Sequence, residues 1–289
     1  MTSLHGDAPI APEPTPREAS HARVVAVRGG HIEVREDRLS GEEPLAIRAC
    51  GPGQDPVDVA VTMRTPGHED ELATGFLRTE GLIDDAEAIV SITRGDPATH
   101  SQPDDEVTVH LGRAFDASRV AERHFVATAS CGICGKASLD EVEVRCDPIP
   151  AGPVVEPSTL ISLPVRLREA QAVFEATGGL HAAGLFDATG SLVVLREDVG
   201  RHNALDKLVG SQLLTGALPL HDRIVLVSGR ASFELVQKAA VAGVPILAAV
   251  SAPSDLAVEA AERLGVTLVG FLRGDGFNVY AHPERIALG

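Results

Sequence analysis

The sequence predicts an α/β protein, α+β overall, with a C-terminal α/β domain and a smaller β-rich N-terminal domain. Three observations carry this expectation. Residues 223–272 alternate short apolar strands with amphipathic helices. Residues 22–63 show the period-two alternation of half-buried strands. Between these regions, residues 148–157 are punctuated by proline and Gly152 and carry little periodicity, which marks a linker.

Residues 1–20 hold Pro9, Pro12, Pro14 and Pro16 among small and charged residues and read as a flexible tail. Residues 21–147 form the expected N-terminal domain. Val24, Val25, Val27, Ile32 and Val34 alternate in a β-like pattern, and residues 43–49 and 57–63 are further strands. Arg64-Thr65-Pro66-Gly67 is a turn that opens a helix from about residue 68. Glu69, Asp70 and Glu71 fill its first turn, where the helix dipole favours negative charge. Leu72, Phe76 and Leu77 supply its buried face, and Gly81 caps it. Residues 97–105 are polar and loop-like, 107–111 form a short strand, and a strand at 124–129 runs into a pair of cysteines.

Residues 158–289 form the expected C-terminal domain. Helices are predicted at 167–176 and 203–214, with a strand at 179–186. Strands at 223–228, 244–251 and 266–272 are separated by helices at 233–242 and 255–264, with Gly243 and Gly265 as helix stops. Strand–helix–strand repetition implies crossovers and a largely parallel sheet.

The formal charge is −16, from 41 acidic residues against 25 Lys plus Arg. Nucleic-acid affinity comes mainly from basic side chains on phosphates, so this balance excludes nucleic acid as the expected partner. One Tyr, eight Phe and no Trp leave few stacking surfaces. No apolar run reaches the roughly 18–20 residues that cross a bilayer, so no membrane partner is expected. The first 20 residues lack the basic head and apolar stretch of a signal peptide, and the expected location is the cytoplasm. An anionic ligand must then be held locally, by backbone N–H groups, a helix N-terminus or a few placed arginines.

The cysteines are Cys50, Cys131, Cys134 and Cys146. In a reducing compartment thiol chemistry or metal binding is expected of a clustered pair rather than a structural disulfide. Ser130-Cys131-Gly132-Ile133-Cys134-Gly135-Lys136 holds two sulfurs close enough to cooperate. Its glycines keep the segment open to a partner, and a following helix start with Lys136 favours the thiolate. A structural zinc site completed by Cys146 and a histidine, a thioredoxin-like dithiol and two packed cysteines are the alternatives. Cys50 and Cys146 have no such surroundings and read as packing residues.

Further polar and glycine-rich segments are Thr177-Gly178-Gly179-Leu180-His181 and Arg196-Glu197-Asp198-Val199-Gly200-Arg201-His202-Asn203. Ser228-Gly229-Arg230 follows a buried strand, where open α/β sheets bind ligands. Phe271-Leu272-Arg273-Gly274-Asp275-Gly276 ends the last strand of the same sheet. It suits both an anion-contacting turn and a hairpin into a strand at 277–281, since Asp-Gly is a hairpin signal.

With these residues in their order, the chain resembles the formate dehydrogenase accessory sulfurtransferase family, often called FdhD. The resemblance runs from about Val24 to the C-terminus and rests on Arg64-Thr65-Pro66-Gly67, Cys131-Gly132-Ile133-Cys134-Gly135, Thr177 to His181, Glu197 to Ala204, Ser228-Gly229-Arg230 and the stretch from Ser251 to Phe271. It implies a cytosolic protein that takes persulfide sulfur from a cysteine desulfurase. It also implies delivery of that sulfur to the bis(molybdopterin guanine dinucleotide) molybdenum cofactor, Mo-bis-MGD, which is cargo here and which formate dehydrogenase requires. By the same resemblance Cys131 is the persulfide carrier, and Phe271, Leu272, Arg273, Gly274, Asp275 and Gly276 contact the cofactor. Cys134 is read as a catalytic auxiliary that either releases sulfur from Cys131 by disulfide formation or only tunes it. The C-terminal domain is then expected to be cytidine-deaminase-like and cofactor-binding. No metal ligand is carried over, because the deaminase Pro-Cys-x-x-Cys signature is absent. A cofactor with two guanine dinucleotides would suit a homodimer. A cofactor-binding chaperone without sulfur chemistry is the alternative function.

Overall fold

The computed structural model describes residues 15, 17–95, 103–122, 146 and 148–289. Strands β1 (Ala19–Arg28) and β2 (His31–Ser40) form an antiparallel ribbon, turned by Gly29 and Gly30 at positive φ. Four more strands, β3 (Glu43–Cys50), β4 (Val57–Arg64), β5 (Ile89–Arg94) and β6 (Glu106–Leu111), form a sheet of order β4-β3-β6-β5. The β3–β6 pairing is parallel and the other two pairings are antiparallel.

Helix α1 (Glu69–Thr79) lies on this sheet, and Leu72, Phe76 and Leu77 pack on Leu45, Ile47, Val107 and Val109. Its predicted acidic first turn is present, and Gly81 beyond its end has φ 67°. The short helix α2 (Ser118–Glu122) follows. Arg17 and Ala19, which the sequence placed in the tail, belong to the folded body. Ala19 is buried, and Arg17 pairs with Glu43, Asp104 and Asp105.

The C-terminal half begins with α3 (Pro157–Ala170) and α4 (Ala172–Thr177). The predicted helix at 167–176 is therefore two helices broken at Gln171, and α3 starts ten residues earlier. Pro157 is accommodated because a first-turn N–H has no intrahelical acceptor. Pro164 sits inside the helix while Leu160, Leu163 and Leu167 bury one face, so packing outweighs the proline.

Then come β7 (His181–Asp187), β8 (Leu192–Asp198), α5 (Arg201–Leu214), β9 (Arg223–Val227), α6 (Phe233–Val241), β10 (Ile246–Ala249), α7 (Asp255–Leu264), β11 (Thr267–Arg273) and β12 (Gly276–Ala281). The sheet order is β12-β11-β10-β9-β7-β8. Its three central strands are parallel, as the strand–helix repeat predicts, but β12, β7 and β8 join antiparallel. Both faces are covered. Val225 and Val227 of β9 point into the α5–α7 layer, and Ile224 and Leu226 point towards α3. That double burial explains why these strands read as unbroken apolar runs.

The stretch at 148–157 lies against this sheet. Ile149 donates to Leu264 O at 2.9 Å, and Val155 bridges to Ile286. The two halves meet where α1 crosses α5 through glycines. A Cβ on Gly75 would stand 1.9 Å from Asp206 O, and one on Gly210 would stand 1.8 Å from Glu71 O. Only glycine permits that approach.

Candidate functional site

Strands β9, β10 and β11 run parallel, so their carboxyl ends open on one edge, the general location for ligands in such sheets. Three loops are tied together there. Ser251 N donates to Gly229 O at 3.3 Å, and Phe271 N donates to Ser251 O at 3.1 Å. Ala231 N donates to Ala252 O at 3.2 Å, and Ser254 N donates to Ala231 O at 3.0 Å. At ordinary strand spacing, Gly229 and Phe271 are about 10 Å apart across this edge.

Phe271 has φ 53°, a left-handed conformation that a bulky side chain rarely adopts. Its backbone is set by Gly270, where a Cβ would meet Pro253 Cδ at 2.8 Å and Tyr280 Cε2 at 2.9 Å. The Arg273 guanidinium lies over the Phe271 ring, 5.4 Å from its centroid. Leu272, expected to contact the cofactor, is instead fully buried in the core and shows no surface to a ligand. Arg273, Gly274 and Asp275 are exposed. The segment is also a hairpin: Arg273 pairs with Gly276 around Gly274-Asp275, with φ 62° at Gly274. The sequence placed the signal in Asp-Gly, whereas Gly274 supplies the positive φ at the first turn position. The hairpin reading of this segment is therefore the one the geometry shows.

A second group of polar residues gathers beside Gly229. His181 starts β7, antiparallel to β9, and so lies at the carboxyl end of β9. A Cβ on Gly229 would be 3.3 Å from His181 Nδ1, so the imidazole lies against the glycine backbone. Burial, then Arg201 and His202, lower the His181 pKa from the ordinary value, while Asp198 opposes them. His202 Nε2 is 2.9 Å from Glu234 Oε2 and 3.2 Å from Ser232 Oγ, both at the start of α6. The hydrogen bond to His202 holds the Glu234 carboxyl below its usual range despite burial. Arg201 Nε is buried without a hydrogen-bond partner among the described residues. The polar segment from Arg196 to Asn203 and the segment from Thr177 to His181 were singled out by the sequence as polar and glycine-rich, and they supply Arg201, His202 and His181. Ser232 and Glu234 carry no sequence signal and enter only because α6 starts opposite α5.

The other polar motifs build the frame that holds this edge. Asp198 and Lys207 are fully buried and 2.7 Å apart. Asp198 also accepts from Thr65 N at 3.1 Å, Gly200 N at 2.8 Å and Asn203 Nδ2 at 3.1 Å. Lys207 donates to Thr65 O at 2.8 Å, and Asn203 donates to Met63 O at 2.8 Å. Thr65 and its neighbours are thus clamped to the first turns of α5. Fully buried Arg64 pairs with Glu43, Glu69 and Asp105. Glu197 accepts the Val173 and Phe174 N–H groups of α4. Another buried set joins Lys238, Asp206 and Thr79.

Cys131 and Cys134 lie outside the described residues, as does the predicted strand at 124–129. Cys50 is buried, with Sγ 3.3 Å from His110 Nδ1, and Cys146 is half-buried. Among the described residues no helix is long and apolar enough to cross a membrane.

Comparison with known proteins follows this arrangement over nearly its whole length. A "Sulfur carrier protein FdhD" from Streptomyces avermitilis is 50% identical over 280 residues, covering 94% of this chain and 97% of the relative. Proteins of the same description from Mycobacterium tuberculosis and Sulfurisphaera tokodaii are 45% and 42% identical, covering 92% and 93% of this chain and 98% and 99% of those relatives. A crystal structure described as a formate dehydrogenase accessory protein, from Desulfotalea psychrophila, superposes with a TM-score of 0.70 at 26% identity, covering 93% of this chain and 99% of that one. The family model of FdhD/NarQ matches residues 41–287, and the chain belongs to the FdhD/NarQ family.

Proposed function

We propose that this protein is a cytoplasmic sulfur carrier that serves formate dehydrogenase, acting as a sulfurtransferase on the molybdenum cofactor. The observation that carries this reading is its 50% identity, over 94% of its length, to a sulfur carrier protein, with Cys131-Gly132-Ile133-Cys134 present. In the loading step the Cys131 thiolate attacks the outer sulfur of a cysteine desulfurase persulfide. A new S–S bond forms on Cys131, and the desulfurase thiolate leaves. In the delivery step Cys134 attacks Cys131 Sγ, forming a Cys131–Cys134 disulfide and releasing the outer sulfur as hydrosulfide towards molybdenum. The two electrons that reduce this sulfur come from the thiols, and a dithiol reductant then restores the pair.

The cargo is Mo-bis-MGD, whose guanine and diphosphate groups match the chemistry of the carboxyl edge. Phe271 and Arg273 offer a flat cationic surface for a purine, and Gly274, Asp275 and Gly276 expose backbone beside it. A homodimer would present two such edges to the two guanine dinucleotides.

The test is intact mass of the full chain after incubation with a cysteine desulfurase, pyridoxal phosphate and cysteine. The expected result is a gain of one sulfur atom that dithiothreitol removes and that Cys131→Ala abolishes. No gain, with the desulfurase active on another acceptor, would replace the sulfurtransferase by a chaperone that only binds cofactor.

A further inference from the structure

The carboxyl edge holds more titratable groups than the binding of an anion requires, and their partners are unequal. His202 is committed through Nε2 to Glu234 and Ser232. The His181 imidazole makes no hydrogen bond to any described residue, although it is half-buried against Gly229. The charged and titratable groups around it come from three elements: Arg201 and His202 from α5, Asp198 from the end of β8, and Glu234, through His202, from α6. Asp198 is already saturated by Lys207 and three N–H donors, which leaves it little to offer His181. Arg201, whose charge reaches His181, has a buried Nε with no hydrogen-bond partner among the described residues. Without a ligand, His181 therefore faces cations and burial, and both favour its neutral form.

We propose that His181 makes this edge a proton-linked receptor for a diphosphate group, taking up a proton when the anion enters and giving it back when the anion leaves. The inference rests on the cofactor reading above and adds its regulation. The diphosphate brings negative charge beside Arg201 and His181 and reverses the balance that keeps the imidazole neutral. By linkage, whatever raises the His181 proton affinity on binding must itself bind more tightly where protons are available. The sign follows: affinity is high below the histidine range, falls as pH rises through it, and levels off once His181 is neutral in both states. Release at higher pH would then need no change in fold.

The experiment uses guanosine diphosphate as the probe and the full-length chain, titrated calorimetrically between pH 6 and pH 8.5. At pH 7 two buffers of different ionisation enthalpy give the protons taken up. The expected result is uptake approaching one proton and a dissociation constant that rises by up to about tenfold per pH unit through the histidine range. His181→Gln should lose both the uptake and the slope. His181→Asn and the wild-type imidazole C–H resonances, followed with and without the probe, cover the case in which glutamine is not accommodated. Binding with no proton uptake and a flat profile would overturn the proposal while leaving the cofactor reading intact. Uptake that persists in the His181 variants would also overturn it. No binding of guanosine diphosphate or of inorganic pyrophosphate at any pH would overturn both.

Discussion

Replacing Asp198 should be among the most destabilising single changes in this chain, and its size follows from what the carboxylate touches. Asp198 and Lys207 are fully buried and 2.7 Å apart, and three N–H donors converge on the same carboxylate. Removing one member of a buried pair costs about 3–5 kcal/mol, because the remaining charge is left uncompensated. Asp198→Ala also strands the Thr65, Gly200 and Asn203 donors, which places it at the upper end, about 5 kcal/mol. Lys207→Met leaves a carboxylate that still receives three N–H groups, so about 2–3 kcal/mol is expected. The double variant removes both charges and should be more stable than Asp198→Ala alone by roughly 1–2 kcal/mol. Urea unfolding followed by circular dichroism measures all three, and for a chain of this size Asp198→Ala should lower Tm by about 8 °C. A loss below about 1 kcal/mol for Asp198→Ala, or strict additivity in the double variant, would refute the argument that this pair clamps the two halves together.

Gly210→Ala should cost at least the upper part of the 1–3 kcal/mol range for overpacking, since its Cβ would stand 1.8 Å from Glu71 O. Gly276→Ala, with nothing within 4 Å, should stay within about 0.5 kcal/mol in the same unfolding assay. Burial works against ionised Glu71, but hydrogen bonds from Arg196 and His68 pull its pKa down to about 2. A depressed carboxyl stabilises above its unfolded value of about 4.5 and stops doing so as pH falls towards about 2. Glu71→Gln should therefore be less stable by about 1–2 kcal/mol at pH 7, discounted for partial exposure, with the gap closing below pH 4.5; a constant Tm gap would refute this. Phe271→Ala should weaken guanosine diphosphate binding by about tenfold or more, the contribution of one base–aromatic stack, with an unchanged circular dichroism spectrum. Unchanged affinity would remove Phe271 from the site.

The sequence disclosed most where a local signal and the packing agree. Helix α7 is found at its predicted bounds because Ser254 accepts from Ala257 N and Gly265 takes φ 72°. Strands β9 to β11 were legible because burial on both faces leaves no polar residue to interrupt them. Strands β5 and β8 were not anticipated. Each lies at a sheet edge, and its exposed positions blur the alternation. Helix α3 starts ten residues before the predicted helix and contains Pro164, and the burial of Leu160 and Leu163 that stabilises this first stretch is a tertiary fact. At the candidate site, glycines after buried strands marked Gly229 and Gly274. Buried Lys207 and Lys238 were invisible, because a lysine on a helix ordinarily faces water and only the fold supplies Asp198 and Asp206.

Two of the motifs that carry the family resemblance are bonded to each other. Arg64-Thr65-Pro66-Gly67 and Asp198-Val199-Gly200 meet through Thr65, Asp198 and Lys207, and the helix they fix begins with Arg201 and His202. The clamp therefore sets where a guanidinium and an imidazole stand relative to Gly229. Gly75 and Gly210, by letting α1 and α5 touch, hold the far end of the same helix. This arrangement suits a chain of net charge −16 that takes the anionic cargo proposed above. A long-range basic field would be cancelled by the acidic surface, whereas cations fixed in a partly buried edge act at short range, where screening is weak. Affinity for the anion is then set by geometry that the frame maintains. Damage to the Asp198–Lys207 clamp should reach the site as a displacement of α5 rather than as a loss of charge.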